Sequence, residues 1–172
     1  MRHVLITLAL FFVIASSAFA QPTSINAPFL EGLAGTWVLR GTIAGQETTH
    51  DVVAEWILEH HYLRIQERSR EKDPKGHAKY EALVLIGWDS GSSEYQCLWL
   101  DVTGGGGLAV QFIARGKKTG ESIPFLFREP DNSISFINTF SFDKASSSWT
   151  WHMDNIKDGK PVPFGRVRLT RK

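Results

Sequence analysis

Arg64 and Glu67 are the side chains best placed by type and spacing to do chemistry in this chain. The stretch His61 to Glu71 alternates, with Tyr62, Arg64 and Gln66 on one parity and Leu63, Ile65 and Glu67 on the other. Whichever parity turns inward carries one ionisable group into a poorly solvated place, where it needs a partner or water. Such a group is open to pKa perturbation, the usual basis of specificity or acid–base work. His60-His61, with His50, His77 and Glu59, have the donor types of a metal cluster. Neighbours on a strand point to opposite faces, however, so solvated turn histidines are the expectation and no metal or other cofactor is expected. Cys97, the sole cysteine, lies in an apolar stretch; it has no partner for an internal disulfide and is expected to be buried and inert. No Gly-x-Ser-x-Gly elbow occurs, and no nucleophile, base and orienter fall together in the sequence, so no catalytic residue is assigned. The run Gly104-Gly105-Gly106-Gly107 has no Lys-Ser/Thr pair after it and no helix to open, and reads as a hairpin turn rather than a phosphate loop.

The elements that must position these groups alternate almost everywhere from Ala34 onward. In the first, Trp37, Leu39 and Ile43 share a parity with Gly41, against Val38, Arg40 and Thr42. Further strands are expected over Thr48–Leu58, His61–Glu71, His77–Asp89, Glu94–Val102, Leu108–Arg115, Ser122–Arg128, Ser133–Asp143, Ser147–Ile156 and Pro163–Arg171. Turn clusters rich in Asp, Gly, Pro and Ser separate them, and no helical period is long enough to cover a sheet. About ten consecutive strands with short connections remove their edges most simply by closing, so the expected fold is all-β, a closed antiparallel up-and-down barrel. Inward parity gathers Trp56, Tyr80, Phe112, Phe125, Asn138, Phe140, Trp151 and Met153, an aromatic wall with a few polar members. If the first and last strands pair antiparallel, Arg171 falls beside Trp37, a guanidinium over an indole that would clasp the closure.

Arg2 and His3 precede the apolar run Val4–Ile14 and the small-residue site Ala18-Phe19-Ala20. Residues 1–20 therefore read as a secretory signal, 21–33 as an N-terminal lead and 34–172 as one barrel domain. The run is too short for a comfortable membrane span, so the expectation is a secreted or periplasmic chain with no membrane contact after cleavage. Without Arg2 the 19 basic residues fall to 18, matching the 18 acidic ones, so no field suggests nucleic acid or an anionic surface as partner.

Gly35-Thr36-Trp37-Val38-Leu39, a glycine two residues before a tryptophan at the opening of an all-β chain, resembles the signature of the calycins, which include lipocalins and fatty-acid-binding proteins. The likeness is closest to exported bacterial lipocalin-like barrels of unestablished function, and Arg166-Val167-Arg168-Leu169-Thr170-Arg171 loosely resembles the closing strand of fatty-acid-binding proteins. Gly45-Gln46-Glu47 leaves no room for the two lid helices of the latter, and Arg168 stands where their closing strand has a tyrosine, so their carboxylate site is not carried over. The resemblance implies a barrel whose interior takes a small molecule. Three function classes stay open: a module binding a small, largely apolar ligand; an enzyme using the same cavity for isomerase- or cyclase-type acid–base chemistry through Glu67 or Arg64; and a filled structural barrel. Oligomeric state is left open.

Overall fold

The computed structural model describes residues 28–104 and 108–172. Ten strands follow one another: β1 (Gly35–Ile43), β2 (Gln46–Ile57), β3 (Tyr62–Ser69), β4 (Glu81–Asp89), β5 (Glu94–Asp101), β6 (Ile113–Gly116), β7 (Ser122–Arg128), β8 (Ile134–Asp143), β9 (Ser148–Lys157) and β10 (Lys160–Arg171). Each pairs antiparallel with its sequence neighbour, and β1 pairs with β10 to close the barrel. The only α-helix among the described residues is one turn, α1 (Pro28–Glu31), which precedes β1. Residues 1–27, over which a signal and most of the lead are expected, lie outside the described residues, as do Gly105–Gly107 of the glycine run.

The pattern of residue types explains the connections. Asp73, Asp89, Asp101, Asp131 and Asp143 each accept a hydrogen bond from the backbone N–H two residues on, at 2.8–3.0 Å, so aspartate side chains shape five of the turns. Two expected strands are shorter than their alternation suggests. The piece His77–Tyr80 stays outside β4, although Tyr80 is held like a strand residue, its carbonyl accepting from Ser69 N at 2.9 Å and its N–H donating to Ser69 Oγ at 3.0 Å. Leu108–Phe112 is not strand either: Val110–Phe112 winds into a 3-10 turn and only Ile113–Gly116 joins the sheet.

Alternation sorts the side chains radially. Leu39, Val52, Leu63, Ile65, Val84, Ile86, Cys97, Phe125, Phe140, Trp151, Val167 and Leu169 are buried and form one continuous core. The two ends of the barrel differ. At the end where β1 starts and β10 finishes, α1 and the residues after it act as a plug, with Leu30 and Leu33 fully buried against Trp37 and Trp149. Burying each of those leucines is worth about 1.5–3 kcal/mol. The part of the lead beyond Ala27 is thus an integral piece of the core.

Polar stitches hold the plug. Trp37 Nε1 donates to Leu33 O at 2.7 Å, and Trp149 Nε1 donates to Gly32 O at 3.2 Å. Register places Trp37 opposite Arg171, whose guanidinium lies 4.2 Å from the indole centroid and donates to Ala34 O at 3.0 Å and Gly32 O at 3.3 Å. Here the glycine of Gly35-Thr36-Trp37 gains a physical reason. A Cβ on Gly35 would stand 2.0 Å from Arg171 Nη1, and its φ of 135° is one that side chains rarely tolerate. The glycine leaves open the path by which the arginine crosses to the tryptophan.

Candidate binding cavity

Where the core stops, at the opposite end, the barrel encloses a cavity of about 640 Å³. Its mouth lies at the end where β1 finishes and β10 starts, and its floor is the plane in which Phe140 stacks on Trp151, centroids 4.5 Å apart. Aromatic side chains supply most of the wall: Tyr80, Trp99, Phe112, Phe127, Phe136 and Phe164, with Trp151 and Met153 below. They hold one another edge-to-face, as in the Phe127–Phe136 and Phe136–Phe164 pairs at 5.7 and 5.8 Å.

One polar cluster interrupts this wall. Val52 and Ala54 face the core, so the same parity of β2 turns Thr48 and His50 inward; on β3 Leu63 and Ile65 do the same for Glu67. His50 and Glu67 are 3% and 2% exposed, and His50 Nδ1 shares a short hydrogen bond with Glu67 Oε1. On its other side His50 Nε2 lies 2.6 Å from Thr48 Oγ1, which is 3.4 Å from Glu71 Oε2 at the mouth. Thr49 N–H donates to Glu71 Oε1 at 3.1 Å. Two proton arrangements satisfy both contacts of the His50 ring. In a neutral ring Nδ1–H donates to Glu67 and the Thr48 hydroxyl donates to Nε2; in a charged ring both nitrogens donate and the Thr48 hydroxyl donates to Glu71. The chain Glu67–His50–Thr48–Glu71 therefore links the buried interior to the rim by hydrogen-bonding groups throughout.

The electrostatics follow from the same contacts. Burial raises the Glu71 pKa, but the backbone N–H groups of Glu71 and Thr49, the neighbouring His50 and the Thr48 hydroxyl outweigh it and hold the carboxyl below its usual range. Tyr80 stacks on His50, centroids 5.5 Å apart, accepts from Trp99 Nε1 at 2.9 Å and donates to Asp101 Oδ2 at 3.3 Å. Its burial, with the nearby Glu67 charge, pushes the phenol well above its ordinary pKa, so it serves as a neutral donor. Three buried polar atoms of cavity-lining residues have no partner within the protein: Glu67 Oε2, Asn138 Oδ1 and Trp151 Nε1. Each such atom costs about 1–3 kcal/mol if left unsatisfied.

The residues singled out from sequence divide by height in the barrel. Tyr80, Phe112, Asn138, Trp151 and Met153 line the cavity. Phe125 and Phe140 are fully buried below it, packed on each other at 5.3 Å, and Trp56 sits at the plugged end, stacked on His60 and donating to Glu31 Oε2 at 2.9 Å. Parity assigns a side chain to the interior but not to a level along the axis, and these three are corrected on that ground. The alternatives left open for β3 are decided: Glu67 faces in, while Arg64 faces out and pairs with Glu55. Thr48, His50 and Glu71 join the site without having been expected there. The parity of β2, read back from Val52, carries the signal for the first two.

The histidines do not converge. His50 is inside, His60 and His61 occupy the β2–β3 turn at the plugged end, and His77 lies in the loop before β4 at the mouth. Among the described residues no group of three or more His, Cys, Asp or Glu side chains is arranged to hold a metal. The closed up-and-down barrel is consistent with a calycin-like fold. No family model and no curated protein matches the chain.

Proposed function

We propose that the chain is an exported binding protein that holds a small, largely apolar molecule in the open end of its barrel. The observation that carries this is the aromatic cavity of about 640 Å³, within the roughly 300–1,000 Å³ typical of ligand sites. Glu67, Asn138 and Trp151 line it, and each carries a buried polar atom without a partner in the protein. Titrating the purified protein with apolar probes should change tryptophan emission saturably, because Trp99 and Trp151 form part of the wall. Asn138→Leu should weaken this with the fold intact. If no probe binds saturably and native mass spectrometry finds no retained molecule, the binding role fails. Export is proposed from the leader at residues 1–20; secreted material should begin at Gln21, and recovery of Met1 would sink that part.

A second role is favoured by the hydrogen-bonded chain from Glu67 to Glu71. In it, Glu67 Oε2 takes a proton from a carbon next to a carbonyl, the electron pair passes to the carbonyl oxygen, and His50 and Thr48 connect the acid to exchangeable protons at the rim. Exchange of the carbonyl-adjacent hydrogens of 4-phenyl-2-butanone in deuterated water, followed by NMR, tests it. Acceleration lost in Glu67→Gln supports proton transfer; a rate equal to the protein-free control rejects it.

A further inference from the structure

The charges around the cavity are unequal. Glu47, Glu67, Glu71 and Asp101 line it, against Lys79 as the sole lysine or arginine among the lining residues. His50 adds at most one positive charge, which leaves the acidic groups in excess in either of its protonation states. The carboxyls do not have equal claims on a ligand. Asp101 is engaged by Tyr80 and by Thr103, and Glu71 by Thr48 and Thr49. Glu67 is different: 2% exposed, one oxygen tied to His50, and Oε2 without a partner. A second orphan acceptor, Asn138 Oδ1, is buried to the same degree. Both call for hydrogen-bond donors, and a ligand carboxylate has none to give.

The aromatic wall points the same way. The faces of Trp, Tyr and Phe rings are negative, so a box of them attracts a cation as well as an apolar body. An ammonium group supplies up to three donors and one positive charge in the volume of a methyl group, while an attached aryl or alkyl skeleton fills the space between Phe127, Phe136 and Phe164. A carboxylate ligand would instead meet like charge from the rim inward.

From this we infer that the cavity selects small lipophilic amines, with the ammonium group on Glu67. The inference rests on the binding role proposed above and narrows it to one chemical class. Three matched probes separate the two: 4-phenylbutylamine, 4-phenylbutan-1-ol and 5-phenylpentanoate, titrated calorimetrically at pH 7. The amine should bind at least about tenfold tighter than the alcohol, and the carboxylate weakest. Glu67→Gln should remove the amine's advantage over the alcohol. Saturable alcohol binding with no advantage for the amine overturns the inference while the binding role stands, as does an advantage that survives Glu67→Gln. If none of the three binds, the binding role and the inference fall together. Should Glu67→Gln not fold, the ranking on the unaltered chain still decides whether the cavity selects amines.

Discussion

Replacing Arg171 with alanine tests whether the barrel seam is clasped at the plugged end. The guanidinium lies 4.2 Å from the Trp37 ring centroid, a contact worth about 0.5–2 kcal/mol according to its desolvation. It also donates to two backbone carbonyls, Ala34 O and Gly32 O, and thereby ties the segment after α1 to β10. The arginine is exposed, so each of these bonds belongs at the low end of the ordinary range, about 0.5 kcal/mol, and the whole should come to about 1.5–3 kcal/mol. Arg168, three residues earlier, is the control. It reaches Asp143 at 2.8 Å and the hydroxyls of Ser146 and Ser148, but from a half-exposed position where an ion pair is worth about 0–1 kcal/mol. Urea unfolding followed by tryptophan emission should show a larger loss for Arg171→Ala than for Arg168→Ala, with an unchanged slope. Arg171→Lys should fall between wild type and alanine, because it keeps the charge and loses the fork. Equal losses for the two alanine variants would refute the clasp.

Gly41 has a φ of 146°, and a Cβ added there would lie only 2.1 Å from Arg166 O, so alanine at this position should cost about 2–4 kcal/mol, read from the same urea curves. Cys97 is fully buried and burial pushes its thiol well up, so the native protein should not react with a disulfide reagent at pH 8 and should become reactive only on unfolding. Hydrogen bonds from Arg70 hold Asp51 at a pKa of about 2, below its unfolded value near 3.8. Its contribution is therefore full above the unfolded pKa and is lost as pH falls through 2; Asp51→Asn should flatten the loss of stability between pH 4 and pH 2.

Much of the fold is legible in the sequence because its signal repeats. Alternation with aspartate- and glycine-rich breaks recurs from Gly35 to Arg171, and closure follows from the need to bury edges. Pairing of Trp37 with Arg171 is legible from the polarity of the two terminal strands alone. The plug is not, since four helical residues carry too little periodicity to register, and Leu30 and Leu33 look like stray apolar residues in a polar lead. The cavity is legible only in its composition. Phe125, Phe140 and Trp56 share the inward parity of Trp151 yet lie below the cavity or at the far end, because height depends on register and stagger, which a single strand does not encode. His50 is hidden for a different reason: grouped with the other histidines as a metal donor, it loses its place beside Val52 and Ala54 on one strand face.

The β1–β10 seam has a kinetic consequence. Every other ladder in the barrel joins consecutive strands across a connection, whereas this one joins the two ends of the meander. Closing a loop roughly thirty times longer costs about 3 kcal/mol more in chain entropy, repaid only once the intervening hairpins have brought the ends together. Seam contacts are therefore expected to form after the rate-limiting step, so that loosening them speeds unfolding while leaving the folding rate nearly untouched. The barrel would then be zipped by its neighbours and locked by its ends, with its lifetime against opening set at the seam rather than in the aromatic core.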